Sequence, residues 1–449
     1  ADGARLLPTR ELAGLLGLNR TTVAAAYEAL EHHGLLKAHV GRGSYVCAPG
    51  RAAGFDWESR FRSLLPDRSL QQAAWSADPD SIDFSTWRQD PAPWVLDALR
   101  QAAARELAEH CSAILPLGAA EGYPPLREFL WSWMQTAGIA SPDDELLVTS
   151  GCQQGLDLVA KVLVPPGETV LLEDPVYPGA RDLFLAAGVQ VRGVAVGPAG
   201  ISTTELEYEL SRSRARLLVV TPNFQNPTGA TLPLEGRREL LRLAARFQVP
   251  VVENDVYAGL RYRGEDLPSL KSLDSEGQVI HLRSFSEAAF SGLRVGWCVA
   301  PRAVARRLVA AKQLTDLHTD QLSQAVLYRL AADGALDRHR EELRRRGAAR
   351  LDAVLAACRA CLPPEVDFFA PDGGAHLWLR LPPPLDATEL AAHARDHQVF
   401  FIPGRIFAVA RPHRGALRLS FAGLPPDQIQ RGIATLAGLA RALQPAAHG

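Results

Sequence analysis

Lysine is scarce in this chain: of 48 basic residues only four are lysines, Lys37, Lys161, Lys271 and Lys312. Chemistry that needs a side-chain primary amine therefore has four places to come from. Cysteine is scarce too. Six cysteines in 449 residues exclude a disulfide framework. Cys358 and Cys361 form a single CxxC on an Ala-rich helical stretch. With no second pair or His cluster beside it, the motif reads as packing, not as a metal or redox site. No apolar run approaches the length of a membrane span, and no charged-then-apolar leader opens the sequence. The expectation is a soluble, cytoplasmic protein. Net charge is −2, so no whole-chain attraction to nucleic acid exists, although a local basic patch can still supply one. Internal repeats and low-complexity tracts are absent from the sequence as well.

What is present is enough apolar residue, 47% of the chain, for a large core, at a length that predicts two or three domains. Residues 1–48 stand apart. "TRELAGLLGL" has helical spacing, with Leu12, Leu15 and Leu16 on one face. "NRTTVAAAYEALEHHG" opens on Asn19 as N-cap and predicts a second helix ending at Gly34, with Val23, Tyr27 and Leu30 as core. Two β-prone segments around Gly41-Arg42-Gly43 predict a hairpin. Helix, turn, helix and hairpin is the order of a winged helix-turn-helix. Its second helix would present Arg20, Thr21 and Thr22 to DNA, with Arg10 on the helix before and Arg42 at the wing tip. Residues 49–83, rich in Ala, Pro, Asp and Ser, read as a linker.

From residue 84 to 449 helical stretches alternate with apolar runs. "ELLVTSG", "TVLLEDP", "RLLVVTPN", "VPVVEND" and "QVIHLRSFS" are buried-strand candidates. "CQQGLDLVAKVL", "GARDLFLAAG" and "PLEGRRELLRLAARF" are helices between them. The predicted fold class is α/β, a mostly parallel sheet covered on both faces. The expected division is a large domain over about 121–303 and a smaller α+β domain from 84–120 and 330–449, with "GGAHLWLRL" and "ALRLSFA" as its strands.

In an open parallel sheet, ligands bind beyond the carboxyl ends of the strands. There the sequence offers Gly151-Cys152-Gln153 opening a helix, which suits a phosphate. It also offers Tyr177, then Asn226, then Asp255 with Tyr257 two residues on, read as one face of an extended segment. Ser284, Ser286 and Arg294 follow. A carboxylate for a ring nitrogen, an amide and a phenol for a ring hydroxyl, an aromatic to stack and a phosphate cradle together describe pyridoxal 5'-phosphate. Each residue alone reads more simply as a turn, a cap or core; the ordered set of five at successive strand ends does not.

On "LVTSG", "QNPTG", "ENDVY", "SFS…GLRVGW" and "LRLSFA", the chain from about residue 80 resembles the fold-type I, aminotransferase-class PLP enzymes. With the N-terminal module it resembles the MocR branch of the GntR transcriptional regulators. The resemblance implies that Asp255 pairs with the pyridine nitrogen, Asn226 and Tyr257 with the ring hydroxyl, and that Tyr177 stacks. It assigns the phosphate to Ser284, Ser286, Arg294 and the amides of Gly151, Cys152 and Gln153. Arg418 would clamp a substrate or effector α-carboxylate. Arg10, Arg20, Thr21, Thr22, Arg42 and Gly43 would contact a double-stranded operator. A homodimer, with an amino acid or B6 vitamer as effector, follows from the same resemblance. Such modules also open with a helix ahead of "GARLLPTREL", which the sequence from Ala1 does not contain.

The chain departs from that family where it has Glu287 in place of the lysine after "SFS". Only a primary amine condenses with the cofactor aldehyde, so a carboxylate cannot take its place. None of the four lysines stands in register to substitute. Glu287 is then an inert relic in a binding domain, an electrostatic partner for the amine of pyridoxamine 5'-phosphate or of an amino-acid adduct, or an introduced substitution. Leu117 stands where the family carries a tyrosine, and Trp87 where it carries a glycine, which would shrink the pocket. The expected function is a DNA-binding regulator that senses a B6 ligand without a covalent bond. The alternatives are an aminotransferase with a DNA-binding appendage and a ligand-free dimerisation domain.

Overall fold

The computed structural model describes residues 4–39, 43–46, 80–87, 91–286 and 290–444. The chain divides into two units, Ala1–Ser63 and Leu64–Gly449. In the first, the helix Thr9–Leu16 stops at Gly17, whose φ of 64° is left-handed. The helix Arg20–His32 starts where the Asn19 side chain accepts from the Thr21 N–H at 3.2 Å. Strands β1 (Leu36–His39) and β2 (Gly43–Val46) pair antiparallel. The Leu6 N–H donates to Ser44 O and the Val46 N–H to Ala4 O, both at 2.8 Å, so the opening residues flank the hairpin.

The apolar face read from the sequence is not the buried one. Leu15 is 74% and Leu16 57% exposed, while Ala13, Val23 and Leu36 are buried. Two short helices and a hairpin present too little surface to cover every leucine. Leu30 is exposed rather than core. Tyr27 is half-buried and its hydroxyl donates to Leu7 O at 2.7 Å. The wing-tip Arg42, and the expected linker up to residue 79, lie outside the described residues. The last linker residues are instead a strand, β3 (Ile82–Asp83).

The larger unit is built on eight strands: β4 (Asp144–Thr149), β5 (Thr169–Asp174), β6 (Gln190–Gly197), β7 (Gly200–Ile201), β8 (Leu217–Val220), β9 (Val251–Asn254), β10 (Val279–Ser284) and β11 (Gly296–Pro301). Their order across the sheet is β4-β11-β10-β9-β8-β5-β6-β7. Strands β10, β9, β8, β5 and β6 run parallel, and β11 runs antiparallel to both of its neighbours. Alternate residues feed two cores. Val170, Leu172, Leu217, Val219 and Val252 face one, and Leu171, Leu218, Val220 and Val251 face the other. Burial on both faces explains why these runs are continuously apolar.

A smaller sheet holds β12 (His376–Arg380), β15 (Ala416–Ser420) and β14 (Ile402–Pro403) in that order, and β13 (Val399–Phe400) pairs parallel with β3. The stretch 84–120, expected with this lobe, splits between two cores. Phe84 packs with Leu377, Leu419 and Ile433, whereas Ala102 and Ile114 of the helix Pro93–Ile114 pack with Leu126, Trp297 and Ala325. Cys358 is buried in the helix Ala335–Cys361, and burial pushes its thiol up to about 12, which makes it inert. No helix among the described residues is long and apolar enough to cross a membrane.

Candidate functional site

The topology gathers the polar strand ends at one edge. Strands β4 and β10 finish there, and antiparallel β11 begins there, with Ser284 opposite Gly296 and Gly296 opposite Thr149. Arg294 thereby reaches the opening of the helix Cys152–Leu163. Its Nη2 donates to Ser150 O at 3.3 Å and its Nη1 to Ser291 O at 3.1 Å. Gly151 has φ 81°, and a Cβ there would lie 2.4 Å from Arg294 Nη2. Only glycine admits the guanidinium so close to the free N–H groups of the helix end. Ser284 Oγ accepts from the Ser286 N–H at 3.1 Å. The Gln153 side chain donates to Gly179 O at 2.8 Å and so ties this end to the turn that carries Tyr177. These residues form one anion-suited cradle; Glu287 lies just outside the described residues.

Further along the edge, Asp255 is buried and its Oδ1 accepts from Asn223 Nδ2 at 2.7 Å. Asn226 Nδ2 donates to Tyr257 Oη at 3.2 Å, and its Oδ1 accepts from Arg418 Nη1 at 3.0 Å. Tyr257 is not on an extended segment with Asp255, as the sequence spacing implied. It precedes the 3-10 turn Ala258–Leu260 at φ −102°, ψ 2°. It still reaches Asn226 because the chain turns back at the strand end. Arg418 is buried, donates to Ser85 O at 2.6 Å, and lies over the Phe407 ring at 5.0 Å. Burial lowers its guanidinium to about 10, partly opposed by Tyr257, Tyr177 and Asp83. Its buried Nε has no hydrogen-bond partner among the described residues. Tyr177 is 39% exposed, and its ring lies over Gly179, where a Cβ would come within 2.4 Å of it. Trp87 sits 6.4 Å from the Tyr257 ring, and Leu117 is exposed.

Several side chains that hold this arrangement were not anticipated. His376 Nε2 lies 3.3 Å from Tyr257 Oη and its Nδ1 3.1 Å from Ser420 Oγ. Burial, then the neighbouring Arg418, drive the His376 imidazole well below its ordinary value, so it is neutral. Arg237 is fully buried and donates to Asn223 Oδ1 at 2.6 Å and to Leu232 O at 2.9 Å. A legible signal existed for it: Arg237 stands on the apolar stripe of its helix with Leu240, Leu241 and Ala244. His376 and Ser420 carried no such signal. Glu253, Asp255 and His281 bring ligand-type atoms within 4.8 Å of one another. The Glu253 oxygens already accept from Leu270 N–H at 2.7 Å and Lys271 N–H at 2.9 Å, with His281 Nδ1 at 2.9 Å, so this is an internal brace. The lysines of this unit are each held by a carboxylate: Lys161 by Asp157, Lys271 by Asp144 and Lys312 by Asp316. Lys312 Nζ also donates to Gln154 Oε1 at 3.0 Å, the oxygen that accepts from the Ser150 N–H at 2.7 Å.

A mostly parallel large sheet, a small antiparallel one and polar strand ends at one edge define a fold-type I, aminotransferase-like protein. The profile of the aminotransferase class I and II family matches residues 86–436, and the chain belongs to that family. It is 37% identical to a 2-aminoadipate transaminase of Thermus thermophilus over 88% of this chain and 96% of that one. It is 30% identical to a probable rhizopine catabolism regulatory protein, MocR, of Rhizobium meliloti over 98% of this chain and 90% of that one. Among solved structures, the α-aminoadipate aminotransferase LysN of Thermus thermophilus, complexed with N-(5'-phosphopyridoxyl)-L-leucine, superposes with a TM-score of 0.79. It has 35% sequence identity and covers 86% of this chain and 98% of that one.

Proposed function

We propose that the protein is a DNA-binding transcriptional regulator. Its aminotransferase-class unit binds pyridoxal or pyridoxamine 5'-phosphate, or an amino-acid adduct of it, without a covalent bond, as the sensing half of a homodimer. What supports this reading is the set of polar side chains gathered at the sheet edge, Asp255, Asn226, Tyr257, Arg294 and Arg418, together with a sequence that carries Glu287 where the family resemblance expects a lysine. The residues fit the group chemically. Gly151 leaves room where a Cβ would collide with Arg294, a cradle for phosphate. Asp255 offers a buried carboxylate to a ring nitrogen, and Asn226 with Tyr257 offers an amide and a phenol to a ring oxygen. Bound there, such a cofactor would supply an electron-poor ring and an amine or aldehyde arm. This chain's part is to hold it: Asp255 pairs with the ring nitrogen, Tyr177 covers one ring face, and Arg418 takes the carboxylate of an effector.

The N-terminal unit supports the DNA-reading half. Arg10, Arg20, Thr21 and Thr22 are exposed, and Gly43 opens β2 at φ 100°. Full-length similarity to a regulator supports the pairing of the two halves. The second reading, an aminotransferase, is favoured by the 37% identity to a transaminase. Glu287 opposes it, because a carboxylate cannot condense with an aldehyde. The two separate in one experiment. Pyridoxal 5'-phosphate is added to the purified chain, the visible spectrum recorded, and borohydride used to fix any covalent adduct. The unaltered chain should bind without a fixable adduct, and Glu287→Lys should acquire one. A fixable adduct in the unaltered chain would overturn the non-covalent reading, and amino-group transfer from any amino acid would establish the enzyme.

A further inference from the structure

The buried Arg237–Asn223–Asp255 series points to a role for residues outside the expected contact set. A guanidinium has only donors, so the Asn223 atom that meets Arg237 at 2.6 Å must be its oxygen. The amide nitrogen is thereby forced toward Asp255, which it meets at 2.7 Å. Arg237 cannot turn away from this task. It is fully buried, and its remaining donors go to Leu232 O at 2.9 Å, Pro268 O at 2.8 Å and Pro222 O at 3.3 Å. It therefore fixes the two ends of the 222–232 loop and the segment after β9 in the same grip. Asn223 is 4% exposed and Asp255 2%, so water does not compete for these bonds.

We propose that Asn223, oriented by Arg237, is a positioning residue for the ring-nitrogen site. It occupies one oxygen of Asp255 with a donated hydrogen bond, fixes the plane of the carboxylate, and leaves the other oxygen for a protonated ring nitrogen. This rests on the reading that the pocket takes a pyridoxal-type ligand. The substrate-side residues do not do this work: Arg418 acts on Asn226, and nothing in the series touches the cradle for phosphate.

Two probes test it on the full chain by calorimetric titration: pyridoxamine 5'-phosphate, and the same molecule with C–H in place of the ring nitrogen. The unaltered chain should prefer the first at least about tenfold, the worth of one hydrogen bond to a charged group. In Asn223→Leu that preference should shrink by roughly threefold or more without vanishing, because Asp255 remains, while the Kd of the nitrogen-free probe changes little. Asn223→Ser, which is too short to span both partners and perturbs packing less, should show the same loss. A purely structural role would weaken both probes in parallel and leave the preference intact, and that result overturns the proposal while leaving the pocket reading in place. No preference in the unaltered chain would remove the pairing of Asp255 with a ring nitrogen, and this inference with it.

Discussion

The two units hold their candidate site residues by opposite means. In Ala1–Ser63, Arg10, Arg20, Thr21 and Thr22 stand exposed on short helices, and the buried apolar residues among those described are Ala13, Val23 and Leu36. In Leu64–Gly449, Asp255, Asn226 and Arg418 are themselves buried, and each is held by another side chain. Exposed side chains can be replaced without disturbing what holds them. Buried ones cannot, because every change leaves a partner unsatisfied. Substitutions in the larger unit should therefore cost binding and stability together, and in the smaller unit the two should separate.

The largest effect is expected for Asp255→Asn. Removing one half of a buried charged hydrogen-bond pair costs about 2–5 kcal/mol, roughly thirtyfold to several thousandfold in Kd. Titration with pyridoxamine 5'-phosphate measures it, and a loss below about threefold would mean that the buried carboxylate does not meet the ring. The same variant should bind duplex DNA as the unaltered chain does.

Next comes Val23→Ala. It empties one of the few buried positions of the smaller unit and should cost about 1–3 kcal/mol there. Hydrogen exchange read by mass spectrometry should show faster opening across 9–46, with β8 and β9 unchanged. Faster exchange in both units would show that they unfold as one, and the contrast between them would fail.

How far the sequence foretold this site follows from the same contrast. The strand ends were legible because apolar runs stop abruptly at Gly, Pro and polar residues, as in "VTSG" and "TPNFQNPTG", and a parallel sheet places all such ends together. The partners that brace them were mostly not legible. His376 meets Tyr257 from 119 residues away, and Arg418 meets Asn226 from 192 away. No local period encodes such pairings. Asn223 stood within a stretch already singled out, yet its role depends on Arg237, which one helix alone cannot reveal. In the smaller unit periodicity misled: the leucine spacing of Thr9–Leu16 predicted a buried face, but burial needs a covering partner.

A third effect is a pH dependence confined to the larger unit. Glu173 is fully buried, and burial raises its carboxyl from 4.5 to about 8, against hydrogen bonds from Gln225 and Thr221 that pull it down. The folded chain thus holds this proton over an interval where the unfolded chain has lost it. Its contribution to stability is fully present below about pH 4.5 and is lost as pH rises through about 8. The slope approaches about 1.4 kcal/mol per pH unit in that window. Thermal melts of Glu173→Gln between pH 5 and 8 should be flatter than those of the unaltered chain by this slope. Equal slopes would mean that Glu173 is charged in the fold and that the Gln225 contact is an ion–dipole bond.

The smallest effect is the one that sharpens the contrast most. Arg20 is exposed at the start of the helix Arg20–His32, with the positive end of the helix dipole behind it. A solvated surface charge and a phosphate contact look alike in the free protein, but they differ in salt dependence. A phosphate contact releases a condensed counterion, so log Kobs falls against log salt with a slope of about −0.9 per contact. Arg20→Ala should therefore reduce the slope for duplex DNA by about one contact, with roughly a several-fold loss of affinity at low salt. Because Arg20 is exposed and its charge opposes the helix dipole, the melting temperature should hold or rise slightly. An unchanged slope would make Arg20 an ordinary solvated charge. A changed slope accompanied by lower stability would show that this surface is braced from within, as the edge of the large sheet is, and the two units would then differ in size but not in kind.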